Sequence, residues 1–271
     1  MKINIIKMLF ITHLLTNFTL GVKLFAQSIN HPEDLKISLD PYRLEHPVNW
    51  GEGFEGIKRY LNTSEKVMAL TFDACGAGDS YDSELIEFLR QEKIPATLFL
   101  NKRWIKRYPK TTKILMSDPL FDIQNHGDEH RPLSVNGNSI YGIKGTLNID
   151  HAFREVFSNV ELIFSLENKV SRYFRAGTAY YDEVSVQMVN DMGLEVVGYS
   201  LLGDAGATFT AKQVYNQMMK LAHPGAITLY HMNKPAAGTF EGLKMALPLL
   251  KAKGYEFVLI RDYELVNKKP Y

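Results

Sequence analysis

An α/β fold built on a parallel sheet or barrel is what this sequence predicts, on three observations. Short apolar runs with strand character alternate with segments of helical period from Val67 onward. Several of the helical segments close on a glycine, such as Gly193 and Gly254. Chemically active side chains fall at the same end of successive apolar runs, where the loops of such folds collect their functional groups.

The chain divides at its N-terminus. Lys2 and Lys7 precede an apolar segment from Met8 to Val22, interrupted by Thr12, His13, Thr16 and Asn17, and Leu24-Phe25-Ala26 comes before Gln27. A charged start, an apolar stretch and a small residue before the cut predict a signal peptide over 1–26 and an exported protein of the periplasm or cell envelope. The alternative is an uncleaved anchor, but the segment is polar and short against the roughly 20 residues a bilayer requires, so no stable membrane span is expected after processing. No cysteine follows it for lipidation, and Cys75, the single cysteine, excludes an intramolecular disulfide framework. Residues 27–66 carry His31-Pro32, Asp40-Pro41, His46-Pro47, Gly51, Gly53 and Gly56 with little periodicity, and predict an irregular extension that wraps the domain 67–271.

Within that domain, strands are expected at Val67–Phe72, Ala96–Leu100, Phe121–Ile123, Arg172–Phe174, Glu195–Tyr199, Ala226–Tyr230 and Glu256–Ile260. Helices are expected at Ser83–Glu92, Lys102–Met116, Asp150–Leu166, Asp182–Met192, Ala211–Ala222 and Phe240–Lys253. With 271 residues, 45% of them hydrophobic, and a formal net charge of +1, the chain can bury a full core and shows no basic stripe for nucleic acid. The basic cluster from Lys102-Arg103 to Arg107 and Lys110 is spaced by Trp104, Ile105 and Tyr108 and reads as a solvated helix face.

The strand ends carry the chemistry. They are Thr71-Phe72-Asp73, Asn125-His126 with His130 nearby, Arg175, Asp204 after the fifth strand, and Leu229-Tyr230-His231. Each alone has an ordinary structural reading: Asp73 as a cap, Arg175 as a surface ion pair, Asp204 as a turn before Gly206, His231 as a satisfied strand-end histidine. Their shared end points to a site. His126 and His130 are two imidazoles four residues apart, ligands for a borderline metal, although on spacing alone two surface histidines remain the alternative. The string also fits H-x-x-E-H, the inverted zinc-protease pattern, but Gly127, Asp128 and Pro132 oppose a helix there and favour a loop.

Taken together, LTFDACG, NHGDEHRPLS, YFRAGTAYYD, SLLGDAG and ITLYH resemble, in order and spacing, the five motifs of the polysaccharide deacetylases, the carbohydrate esterase group with the NodB homology domain. The resemblance covers Val67 to Ile260. It implies a distorted (β/α) barrel of about seven strands and a metal-dependent hydrolase that removes acetyl groups from sugars. On that reading His126 and His130 hold a divalent metal, with zinc the first expectation. Asp73 accepts the proton of the attacking water, His231 protonates the leaving group, Arg175 holds Asp73 ionised, and Asp204 orients His231. Tyr180, Tyr181 and Tyr230 are candidates to stack on a sugar ring, with core packing as the alternative.

This chain departs from the family at Ala74, where a second aspartate usually supplies the third ligand. Asp79 and Asp82 could replace it, and Asp82 is the expectation, with helix N-capping as its structural alternative. A third possibility makes Asp73 itself the ligand. Cys75 is expected to be a small buried hydrophobe. The third motif lacks its proline, with Ala176-Gly177 instead, and the fourth lacks its second aspartate and tryptophan. The expected substrate is an acetylated amino sugar of an envelope polysaccharide or peptidoglycan. A deacylase of a sugar lipid and a non-catalytic carbohydrate-binding derivative are the alternatives.

Overall fold

The computed structural model of the chain describes residues 29–76 and 80–270. The expected signal peptide and Asp79 lie outside the described residues.

Residues 29–66 contain the 3-10 turns Pro32–Leu35 and Asp40–Tyr42 and the short strands β1 (Trp50–Gly51), β2 (Ile57–Lys58) and β3 (Tyr60–Leu61). There follow β4 (Val67–Ala69), β5 (Thr71–Ala74), α1 (Ser83–Gln91), β6 (Ala96–Leu100), α2 (Lys102–Arg107), α3 (Pro109–Met116), β7 (Phe121–Asn125) and α4 (Ile149–Glu167). Then come β8 (Tyr173–Phe174), β9 (Tyr181–Asp182), α5 (Glu183–Asp191), β10 (Glu195–Val197), β11 (Leu201–Leu202), α6 (Ala211–Leu221), β12 (Ala226–His231), α7 (Thr239–Ala252), β13 (Glu256–Val258) and β14 (Leu265–Val266).

The parallel pairs β12–β5, β5–β6, β6–β7, β7–β8 and β8–β10 form a curved sheet. The chain leaving β10 enters β11, which pairs in parallel with β12, so the sheet nearly closes into a barrel. β13 lies parallel beside β4. Every residue of β5, β6 and β7 is buried, as strands covered on both faces must be. Helices α1, α6 and α7 pack over one apolar cluster with Phe72, Leu98 and Trp104, and α4 and α5 over a second with Leu133 and Phe174.

One helix is corrected. The segment expected as continuous over Lys102–Met116 breaks at Tyr108, whose φ of −122° and ψ of 55° are non-helical. The following Pro109 disfavours helical angles at the residue before it and is itself well placed in the first turn of α3.

The extension docks by specific bonds. Leu35 and Tyr42 are buried in the α4/α5 cluster, and Tyr42 Oη donates to Asp191 Oδ2 at 2.6 Å. The Arg43 guanidinium forks onto Asp150, at 2.5 and 3.0 Å, and the amides of Val48 and Asn49 donate to Glu183. β1 then pairs antiparallel with β9, β2 adds in parallel to β10, and β3 joins β12 and β14. Among the described residues no helix is long and apolar enough to cross a membrane.

If this docking is energetically coupled to the barrel, Tyr42→Phe lowers stability by about 1 kcal/mol, the usual net worth of one hydrogen bond. Amide exchange across 29–58 should speed up more than in β6. Uniform protection in both segments would show that the extension is held without this bond.

Candidate active site

Register brings the strand ends together. His231 stands opposite Asp73 across β12–β5, and Asn125 opposite Phe174 across β7–β8, which sets His126 next to Arg175. These positions lie at the C-terminal ends of parallel strands, the face on which barrels of this kind build sites.

Arg175 is fully buried, and its guanidinium makes four hydrogen bonds within the protein. Nη1 donates to Asp73 Oδ1 and Thr71 Oγ1, both at 2.8 Å, while Nε and Nη2 donate to the carbonyls of Val197 and Gly198 at 3.1 and 2.9 Å. Its guanidinium lies over the Phe99 ring, 4.2 Å from the centroid. Burial opposes ionisation of Asp73, but its surroundings, above all the Arg175 guanidinium bonded to Oδ1, outweigh burial and hold the carboxyl below its usual range. Oδ1 is therefore tied to arginine, and Oδ2 faces the histidines.

His126 is oriented by the same residue. Its Nδ1 lies 2.9 Å from the Arg175 carbonyl, which can only accept, so Nδ1 carries the hydrogen and Nε2 bears a lone pair. That Nε2 is buried without a hydrogen-bond partner, and Asp73 Oδ2 lies 3.6 Å from it. The His130 ring stands edge-on to His126, with centroids 5.1 Å apart. Burial pushes His126 down, and burial together with its neighbour pushes His130 down to about 3, so both rings are neutral, the state in which imidazole binds metal. Both sit on a loop after β7, not a helix, and His130 adopts a positive φ of 61°.

The loop is clamped from below. Glu155, buried on α4, accepts from the amides of Glu129 and Arg131 at 2.8 and 3.1 Å, and Asn101 Nδ2 donates to the carbonyls of His126 and Gly127. Gly127, at φ +76°, is required there: a Cβ would meet Glu155 Oε1 at 2.5 Å. The sequence carries a signal for Glu155, a charged residue on the buried stripe of α4 between Ala152 and Asn159.

His231 is positioned from the other side. Its Nδ1 lies 2.9 Å from Asp204 Oδ1 and its amide donates to Asp204 Oδ2, which also accepts from Thr239 Oγ1. Burial disfavours the imidazolium, yet the Asp204 carboxylate overrides it and raises the pKa of His231.

A cavity of about 410 Å3 opens onto Asp73, His130 and His231, with Cys75 half-buried in its wall. Three expectations do not survive the geometry. Asp82, expected as the third ligand, is the N-cap of α1: Oδ1 accepts from the Leu85 amide at 3.0 Å, and the residue is not in the cavity wall. Tyr230 is fully buried with its hydroxyl on Met218, and Tyr181 is buried with its hydroxyl taking the Ala176 amide, so neither ring can stack on a sugar. Among the described residues no ready cage of three or more His, Cys, Asp or Glu side chains forms. What fits a cation is the orphaned Nε2 of His126, with His130 and Asp73 Oδ2 beside it.

Burial pushes Glu155 up to about 7 against the pull of its two amide bonds. An unfolded carboxyl ionises near 4.5, so between 4.5 and 7 the native chain binds the extra proton; the stability from Glu155 is full below 4.5 and is lost as pH rises to 7, by on the order of 3 kcal/mol. Glu155→Gln should flatten that part of the denaturation profile. A variant that keeps the wild-type slope across this window would remove Glu155 from the folding equilibrium.

A sequence profile described as polysaccharide deacetylase matches residues 60–197. The peptidoglycan-N-acetylmuramic acid deacetylase PdaA of Bacillus subtilis is 28% identical over 205 residues, 74% of this chain and 72% of that protein. Its solved structure, a family 4 carbohydrate esterase, superposes with a TM-score of 0.64 at 27% identity, over 77% of this chain and 85% of that one. A peptidoglycan-N-acetylglucosamine deacetylase of Bacillus cereus is 26% identical over 202 residues, 73% of this chain and 88% of that protein. A CE4 family pseudoenzyme from Bacillus anthracis shares the fold, with a TM-score of 0.63 at 22% identity over 75% of this chain and 67% of that one. With the profile spanning the first three of the motifs and the fold shared over 77% of the chain with the PdaA structure, the chain belongs to the polysaccharide deacetylase family, hydrolases acting on carbon–nitrogen bonds other than peptide bonds.

Proposed function

We propose that this chain is a metal-dependent deacetylase that removes acetyl groups from N-acetylated sugars of a cell-envelope glycan such as peptidoglycan. The observation that carries the reading is the buried Nε2 of His126, a lone pair with no donor, facing Asp73 Oδ2 in a site that opens to the same cavity as His231. His126 and His130 would hold the ion, and imidazole donors suit zinc or a similar divalent metal. When bound, such an ion supplies charge stabilisation at the acetyl oxygen and a lower pKa for water.

The remaining steps belong to side chains. Asp73, ionised and fixed by Arg175 through Oδ1, has Oδ2 available to take the proton of the attacking water. His231, protonated more readily than a free imidazole because Asp204 faces Nδ1, presents Nε2 to give a proton to the departing amine as its bond to the acetyl carbon breaks. Arg175 keeps Asp73 from protonating and His126 in one tautomer at the same time.

The place of Asp82 on α1 and the Ala74 departure favour a second reading, a glycan-binding protein without catalysis. Metal analysis separates the two. Under the hydrolase reading the purified protein carries about one divalent ion, lost in His126→Ala and in His130→Ala, while Asp73→Asn keeps the ion and loses acetate release. Loss of the ion with Asp73→Asn would make Asp73 a ligand and leave the proton acceptor to be sought elsewhere. Wild-type protein free of metal and inert on N-acetylated oligosaccharides would leave the binding reading.

His231→Ala should retain the metal and lose on the order of 10²–10⁴ in turnover on an N-acetyl sugar. An acetyl ester with a good leaving group should lose far less. Equal losses on both would make His231 a structural residue.

A further inference from the structure

The segment NKRWIKRYPKTTKILMS, residues 101–117, holds six of the chain's 31 lysines and arginines and no aspartate or glutamate. The other 25 stand against 30 acidic residues, so positive charge gathers on this one segment while the remainder of the chain is net negative. On a near-neutral protein such segregation belongs to a surface, not to the molecule as a whole.

The fold makes that surface. Trp104 and Ile105 of α2 and Thr112 and Leu115 of α3 are buried and hold the two helices to the barrel. Arg103, Lys106 and Arg107 are spaced i, i+3, i+4 on α2 and are exposed together. Lys110, Lys113 and Ile114 repeat that spacing on α3 and are exposed as well, Ile114 to 58%. The Arg107 side chain is propped on Tyr108, with Nε donating to Oη at 3.3 Å and the guanidinium 5.8 Å from the ring centroid. The two helices add up to roughly 20 Å of length.

The carboxylates around this face are largely engaged elsewhere. At the rim of the histidine loop Lys102 pairs with Asp128 at 3.1 Å, and Glu129 is held by Arg131. On the other side Arg90 of α1 takes Glu87 at 3.8 Å and Asp118, just after α3, at 2.7 Å. Glu84 of α1 and Glu161 of α4 are exposed on neighbouring helices. Among the described residues none of Arg103, Lys106, Arg107, Lys110 and Lys113 forms an ion pair. The groove beside α3 is lined by Thr111 and Ile114 with Glu84, Glu87 and Phe240, and by none of these five cations. They stand on a face, not in a cleft. A chain-like polyanion is gripped in a cleft, whereas a flat anionic sheet meets a face, and an exposed aliphatic among the cations adds an apolar contact that only the sheet can use.

We propose that the outer face of α2 and α3 docks the protein on a bilayer containing anionic lipid, with the five cations among the headgroups and Ile114 entering the boundary beneath them. Each lysine or arginine held at such a surface contributes about fivefold to affinity, so a cluster of this size gives reversible attachment without a spanning helix. Asn101, which caps α2, also donates to the carbonyls of His126 and Gly127, so the docked face adjoins the loop of the proposed metal site. Attachment itself does not depend on the deacetylase reading.

Flotation of the full chain with lipid vesicles tests it, because the N-terminal segment is the same in every variant. Vesicles of phosphatidylcholine alone set the baseline for apolar contacts elsewhere in the chain. With roughly one third phosphatidylglycerol, binding should rise on the order of 10³-fold at low salt and fall back toward the baseline in about 0.5 M sodium chloride, where exposed charges are screened within a few ångströms. The triple variant Lys106→Gln, Lys110→Gln, Lys113→Gln should lose about 100-fold of that binding. Lys106→Arg, Lys110→Arg, Lys113→Arg should keep it, which separates charge from folding. Lys212→Gln, Lys220→Gln, Lys253→Gln removes the same charge from exposed positions on α6 and at the end of α7 and should change little. An equal loss in that control, or undiminished binding by the α2–α3 glutamine variant, overturns the docking face. Tight binding of inorganic polyphosphate without any preference for anionic vesicles would assign the surface to a soluble polyanion and overturn membrane docking as well.

Discussion

The buried contact between Arg175 and Asp73 is the constraint on which the site depends. A guanidinium without water must spend its donors within the protein, and here one goes to a carboxylate, one to a threonine and two to strand-end carbonyls. Removing one member of such a pair strands the other charge in the interior, a loss of about 3–5 kcal/mol, so the arrangement is held as a unit. It also reaches the histidines, since the Arg175 carbonyl sets the tautomer of His126. One residue after β8 therefore fixes the charge of the aspartate, the direction of its available oxygen and the lone pair of the imidazole opposite.

The two histidines of the site are prepared in opposite ways. His126 and His130 are kept neutral by burial on a loop anchored from α4 and Asn101, which suits them to donate electron pairs. His231 is kept protonatable by Asp204, which suits it to give a proton. The separation of roles follows from environment, and the same side chain serves both because its pKa lies where a neighbour can move it either way.

The N-terminal extension is more than a wrapping. Its hydrogen bonds to α4 and α5 and its pairing with β9 and β10 bring Glu52 to the cavity into which the strand ends carry Asp73 and His231. The extension also borders the Arg175 contact, since β2 pairs with β10 at Val197, whose carbonyl accepts from Arg175 Nε. Ala74, where the resemblance leads one to expect a second aspartate, is fully buried in the apolar cluster that α1, α6 and α7 cover.

Much of the architecture was legible because it is written in local pattern. The apolar runs and their helical spacers follow from periodicity, and strands whose ends carry Asp73, His126, Arg175 and His231 are readable once the sheet is taken as parallel, since all such ends then face one way. Pro109 should have divided the helix expected over Lys102–Met116, and that signal too was local. The partners were not legible. Asp82 could serve as ligand or cap on sequence alone, and only the packing of α1 against the loop carrying Met232 turned its carboxylate onto its own helix. Tyr181 and Tyr230 differ from Tyr180 only in which face of the chain is buried. Glu155 and Glu52 lie far in sequence from the residues they serve. The sequence by itself determined the order of elements and the kind of chemistry at the strand ends, because these depend on residue type and spacing. Tertiary structure alone decided which carboxylate meets which imidazole, because hydrogen bonds and buried charges are settled by distances that only the closed barrel defines.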